Sequence, residues 1–145
     1  MNLIIDTNIV FSAILNPNSN IGDLLLNYQD KVKFYAPEFL LTEIEKYSDK
    51  IEKISKQSST DLIVTKILVL SAITFISEDL ISQENWMNAF ELTKDIDEND
   101  TPFIALAMQM KAKLWSGDKK LTNGLLTKKS DIIFTTQELK NLLHI

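Results

Sequence analysis

Leu3-Ile4-Ile5-Asp6-Thr7-Asn8 opens the chain with a short apolar run that stops on an acid. An uninterrupted run of this kind, Asn2 to Ile5, reads as a strand buried on both faces of a parallel sheet. Asp6-Thr7-Asn8 ends it, and Ile9 to Leu15 reads as the first turns of a helix. Beyond the loop Asn16-Pro17-Asn18-Ser19-Asn20, residues Ile21 to Tyr28 resume helical spacing, with Asn20 as the expected N-cap. Val32 to Ala36 alternates and carries β-formers, so a second strand is expected there, closed by Pro37. Leu40, Leu41, Ile44 and Tyr47 then form a helical stripe that extends to Ile51 and Ile54.

The same alternation continues to the end of the chain. A helix is expected over Thr60 to Leu70, capped by Ser59 or Thr60, followed by a strand at Ile73 to Ile76 and a helix at Ser82 to Lys94. An acidic turn, Asp97 to Asp100, precedes a helix with Pro102 in its first turn that runs to Lys113. Leu114 to Ser116 and Ile132 to Phe134 read as strands, Lys119 to Leu126 and Thr136 to Leu143 as helices. Strand and helix in turn predict an α/β domain with a parallel sheet of four to five strands. At 145 residues, with no linker composition and no repeat, a single domain over 1–145 is expected.

Composition excludes several classes. Without cysteine the chain has neither disulfides nor thiolate metal sites, which fits a reducing cytoplasm. The start reaches Asp6 before an apolar signal segment can form, so no signal peptide is expected. Leu62 to Ile76 is interrupted by Thr65, Lys66, Ser71 and Thr74 and is too short to span a bilayer, so no membrane partner is expected. A net charge of −5 argues against a protein that coats nucleic acid through a broad basic surface, though not against an enzyme acting on it. Val64, Leu68 and Val69 widen the apolar surface of the Thr60 helix to most of its circumference, which requires deep burial or cover by another subunit, as in a homodimer.

Four acids stand where a strand ends or a helix begins: Asp6, Glu43, Asp100 and Asp118. Strand ends of a parallel sheet converge on one edge, so these distant residues can share a site. Carboxylates crowded there repel unless a divalent cation holds them. An all-oxygen ligand set selects a hard cation, magnesium or manganese, and such a centre suits hydrolysis of a phosphodiester. Each acid alone has an ordinary explanation. Asp6 and Asp118 can cap helices, Asp100 can complement a helix dipole, and Glu43 can be a solvated helix residue. Their joint arrangement is more specific than any one of them.

Taken together, Leu3-Ile4-Ile5-Asp6-Thr7-Asn8, the helical Glu43, Asp100-Thr101-Pro102-Phe103-Ile104-Ala105-Leu106-Ala107 and Trp115-Ser116-Gly117-Asp118 resemble the PIN-domain ribonucleases, the superfamily that includes VapC-type toxins. The resemblance implies a three-layer α/β/α fold and cleavage of single-stranded RNA with Mg2+ or Mn2+. It also implies a possible antitoxin partner, and Asp6, Glu43, Asp100 and Asp118 as the acidic quartet. Asn8 is similar to the small polar residue beside the first acid of that family, and Ser116 to the hydroxyl residue before the last. Thr101-Pro102 departs from the alanine that often follows the third acid, and Asp97 adds a carboxylate one turn earlier. Either Asp97 or Asp100 could therefore be the third ligand, with Asp100 favoured.

Other residues have plainer readings. Lys46, Lys50, Lys53 and Lys56 are interleaved with Glu45, Asp49 and Glu52, so a solvated face is expected there. Lys119 and Lys120 adjoin Asp118 and are better candidates for substrate contact. Trp115 reads as core packing, no aromatic ladder for base stacking is evident, and His144 sits in a terminus that is expected to fray. Two other classes compete with the enzyme: a non-catalytic PIN-like module that binds RNA or protein, and a phosphatase or response-regulator-like domain. Asp6-Thr7-Asn8 lacks the second aspartate of a D-x-D nucleophile motif, and no glycine-rich phosphate loop is present.

Overall fold

The structure is a computed structural model that describes residues 1–145. Five strands, β1 (Asn2–Ile5), β2 (Lys33–Pro37), β3 (Ile73–Ile76), β4 (Lys113–Trp115) and β5 (Ile133–Phe134), pair in parallel in the order β3-β2-β1-β4-β5. Nine helices accompany them: α1 (Thr7–Leu15), α2 (Asn20–Asn27), α3 (Phe39–Lys46), α4 (Ser48–Ile54), α5 (Ser59–Ser71), α6 (Gln83–Thr93), α7 (Thr101–Met110), α8 (Lys119–Thr127) and α9 (Thr136–Leu142). From β1 the chain moves outward through β2 to β3, then returns to the other side of β1 for β4 and β5. Right-handed crossovers that run in opposite directions put their helices on opposite faces, which produces three α/β/α layers. Accordingly α1 packs with α2, α3, α4 and α5, while α6 packs with α7, and α7 lies on β1, β2 and β4.

The central position of β1 explains its composition. Leu3, Ile4 and Ile5 are wholly buried because helices cover both faces of the strand, and each such side chain contributes roughly 1.5–3 kcal/mol. Phe34 and Trp115 pack with ring centroids 5.6 Å apart, and the Trp115 indole N–H donates to Thr136 Oγ1 at 3.0 Å. That bond removes the cost of burying a polar N–H, so Trp115 serves the core as expected. Gly22 has a similar packing reason, since a Cβ there would lie 2.3 Å from the Pro17 carbonyl oxygen. No helix is long and apolar enough to cross a membrane.

Several local expectations are corrected. The cap of α2 is Ser19 rather than Asn20, its hydroxyl accepting from Gly22 N at 3.1 Å, and the cap of α5 is Ser58, which accepts from Asp61 N at 3.1 Å. The stripe from Leu40 to Ile54 is not one helix: the chain breaks at Tyr47, and the Ser48 hydroxyl donates to the Glu45 carbonyl across the break. The four lysines from Lys46 to Lys56 therefore do not share a helical face. Helix α7 stops at Met110 because Lys111 adopts a left-handed conformation, with φ 53°, and Lys113 already belongs to β4. Helix α5 is not deeply buried all round. Ile63, Val64, Ile67 and Leu68 are each at least half exposed, while Leu62, Thr65 and Val69 face the core.

Candidate active site

The strand order reverses between β1 and β4, and the crevice beyond the carboxyl ends of strands at such a switch is where open α/β sheets bind ligands. Asp6 follows β1 and Asp118 follows β4 by three residues. Both reach the crevice because the ladder continues past the strands, Asp6 N donating to the Trp115 carbonyl at 3.1 Å. A cleft of about 290 Å³ opens there, bordered by Asp6, Asn8, Glu43, Asp97, Asp100 and Asp118, with Lys50 as its one lysine. A larger groove of about 610 Å³ lies beside it, but only Glu91 and Glu98 are acidic there, so chemistry rather than size selects the smaller cleft.

Each carboxylate is held differently. Asp6 is buried, and both its oxygens have donors: Thr7 N to Oδ1 at 2.8 Å and Ser116 Oγ to Oδ2 at 2.6 Å. Burial raises its pKa to about 6, with the two hydrogen bonds opposing and the charges of Asp118 and Glu43 adding to the rise. Asp118 Oδ1 accepts from Leu121 N at 3.1 Å, so this residue caps α8 as well as facing the cleft. Its own N–H donates to Ser116 Oγ at 3.1 Å. Glu43 is half-buried and accepts from Thr7 Oγ1 at 2.7 Å; burial again raises its pKa, Thr7 opposes, and the Asp97 charge adds to the rise.

Asp97 precedes and Asp100 ends a 3₁₀ turn, Glu98–Asp100, and the two differ sharply. The exposed Asp97 carboxylate accepts from Asn99 N at 2.9 Å and so caps that turn. Asp100 precedes α7 without capping it, and its Oδ2 is buried with no hydrogen-bond partner. Burial first, then the charges of Asp6, Asp97, Asp118 and Glu43, push its pKa to about 8. An orphaned oxygen on a carboxylate crowded by the charges of others is the situation a bound cation relieves. No three of these side chains close on one point as a finished ligand cage. The all-oxygen donor set and the unpaired Asp100 oxygen nevertheless fit a hard divalent cation.

The remaining sequence candidates divide. Asn8 is exposed on the rim of the cleft. Ser116 is buried beneath it, its hydroxyl committed to Asp6 and to the Asp118 backbone. Lys119 and Lys120 are exposed at the start of α8 and do not border the cleft. Lys50 does, with its Nζ 5.7 Å from the centroid of the Phe11 ring, although its sequence context reads as a solvated face. Thr7, Phe11, Tyr47 and Asn99 also border the cleft, and sequence reading passes over them as site residues. Only Thr7 carries a local signal, a hydroxyl next to the strand-end acid.

The PIN domain family model matches residues 4–141, nearly the whole chain. The chain belongs to the PIN-domain family. PIN domains are in general metal-dependent nucleases. This PIN domain is 32% identical over 120 residues to the uncharacterized protein MJ1680 of Methanocaldococcus jannaschii, covering 82% of this chain and 72% of that one. Its fold is similar to that of a chain in the crystal structure of VapBC2 from Rickettsia felis bound to a DNA fragment from their promoter. That match has a TM-score of 0.65 and 17% identity, and covers 93% of this PIN domain and 98% of the other chain.

Proposed function

We propose that this PIN domain is an endoribonuclease that hydrolyses phosphodiester bonds of single-stranded RNA, with Mg2+ or Mn2+ held by Asp6, Glu43, Asp100 and Asp118 and with Asp97 beside them. The observation that carries this reading is the buried, unpartnered Oδ2 of Asp100, a residue that borders a cleft lined by four other carboxylates. A cation bound there supplies neutralisation of phosphate charge and an acidified water. The protein's own side chains prepare the site: Ser116 and the Thr7 N–H fix the Asp6 carboxylate, and the Thr7 hydroxyl fixes Glu43. Lys50 attracts the RNA phosphates at the cleft, with Asn8 at the rim and Lys119 and Lys120 guiding the strand farther out.

In this reading the protein acts in the cytoplasm as the toxin of a toxin–antitoxin pair, with an antitoxin protein restraining it. The exposed apolar residues of α5 then serve a homodimer, and Ile67→Glu is expected to convert a dimer measured by light scattering into a monomer; an unchanged mass rejects that contact. The purified protein is expected to cleave single-stranded RNA when Mg2+ or Mn2+ is added and to stop when a chelator is added. Cleavage that persists in Asp6→Asn at the wild-type rate would mark a contaminating nuclease. Calorimetry with no divalent-cation binding would favour a non-catalytic RNA- or protein-binding module instead.

A further inference from the structure

The groove of about 610 Å³ beside the carboxylate cleft falls in the size range of small-ligand sites, roughly 300–1,000 Å³. Its apolar lining is Phe39, Trp86, Met87 and Phe90, drawn from α3 and α6. Met87 is 61% and Phe90 42% exposed, so large apolar side chains face water without a partner. The groove is also firmly built. Phe39 packs edge-on against Phe103 of α7, centroids 6.4 Å apart, and its N–H donates to Glu78 Oε1 at 2.6 Å. Buried Thr93 and Thr101 share a 2.6 Å hydroxyl bond that ties the end of α6 to the start of α7.

Two features join this groove to the cleft. Asn99 borders both, one residue before Asp100. Phe39 precedes Glu43 by four residues on α3, and residues four apart on a helix are neighbours on one face. We propose that the groove is a nucleobase subsite: an unpaired base adjoining the scissile phosphate stacks on its aromatic lining while the phosphate lies at the carboxylates. This rests on the ribonuclease reading. Charge favours a base over a phosphate in the groove, because Glu91 and Glu98 border it and no lysine does. Asn88 and Asn99 add amide donors and acceptors, and the carboxylates add acceptors for exocyclic amino groups. Aromatic stacking tolerates every base, so the subsite supplies affinity first and base preference through those polar groups second.

Trp86 provides its own reporter. The only other tryptophan, Trp115, is fully buried, so an emission change on strand binding belongs to Trp86. In Asp6→Asn protein with Mg2+, short oligouridylate and oligoadenylate are expected to quench that emission, and an abasic strand of the same length and charge is not. In the otherwise wild-type enzyme, Trp86→Ala and the more exposed Phe90→Ala are expected to raise KM for RNA about tenfold with kcat within about twofold, and Trp86→Phe to restore it. Equal quenching by the abasic strand overturns the subsite. So does an unchanged KM in both alanine variants, which leaves the groove to a protein partner. Failure of the ribonuclease reading is distinguishable: the wild type then cleaves no strand, whereas base-dependent quenching of Trp86 still establishes the groove as a base site.

Discussion

The two banks of the carboxylate cleft are built on opposite principles. On the strand-end bank, Asp6 has a donor on each oxygen and Asp118 caps a helix, so the same side chains that border the cleft also hold the fold. On the turn bank, Asp100 caps nothing and leaves Oδ2 without a partner. Each hydrogen bond fixes where a carboxylate sits and occupies one of its roughly four lone-pair sites, whereas a buried oxygen with no partner keeps all of its own and raises the energy of the metal-free fold. One bank supplies position and the other supplies unspent affinity. Under the ribonuclease reading, both are needed for cleavage and only one is needed for stability.

The largest test of that contrast is catalytic. Asp6→Asn and Asp100→Asn are each expected to lower kcat for RNA cleavage by at least about a hundredfold, the scale of losing a principal electrostatic contributor. Asp97→Asn, whose carboxylate is exposed to water and caps the turn through Asn99 N, is expected to lower it only a few-fold. Steady-state kinetics of the three variants therefore identify the ligand of the turn bank. If Asp97→Asn is as damaging as Asp100→Asn, the orphaned oxygen is the wrong guide to ligation.

A smaller effect separates the banks by stability. Both Asp6 and Asp100 titrate higher in the folded chain than the ordinary value of 3.8, at about 6 and about 8. Their protonated forms therefore stabilise the fold, a contribution complete below about pH 4 and lost as pH rises through 6 and then 8. In chelator at pH 8, Asp100→Asn is expected to stabilise the protein by about 1–2 kcal/mol, discounted because Asp100 is partly exposed to solvent screening. At pH 4 the same substitution is expected to be nearly neutral. Asp6→Ala moves the other way at either pH, since it strands the Thr7 N–H and the Ser116 hydroxyl. Denaturant melts at the two pH values check both signs, and Asp100→Asn without a pH-dependent gain removes the basis for the contrast.

How much of this is legible along the chain follows from the range of the interactions involved. The β1 run and Asp6 are readable because burial on both faces and an abrupt charge are local facts. The parallel sheet follows from alternation, but the return of the chain to place β4 beside β1 is a tertiary choice. The bond from Thr7 to Glu43 spans 36 residues and leaves no local trace. The break at Tyr47 hides inside a continuous apolar stripe, and with it the turn of Lys50 toward the cleft. No aromatic ladder is visible in sequence because Phe39 and Trp86 belong to separate elements, α3 and α6, brought to one groove only by the tertiary fold.

The finest distinction lies between the two hydroxyls that orient the acids. Ser116 is almost fully buried against buried Asp6, so Ser116→Ala leaves Oδ2 with no water to replace the lost donor. Its loss is expected to cost about tenfold in divalent-cation affinity, typical for an outer-shell partner. Because the Ser116 bond holds the Asp6 pKa down, the acid limb of the pH–rate profile should also move to higher pH. Thr7 supports Glu43, which is only half-buried, so in Thr7→Val water can take the place of the hydroxyl and the expected loss is about two- to threefold. Cation titration of the two variants ranks them directly. Equal losses would mean that burial of the acceptor does not set the worth of its donor here, and the strand-end bank would lose its claim to be the rigid one.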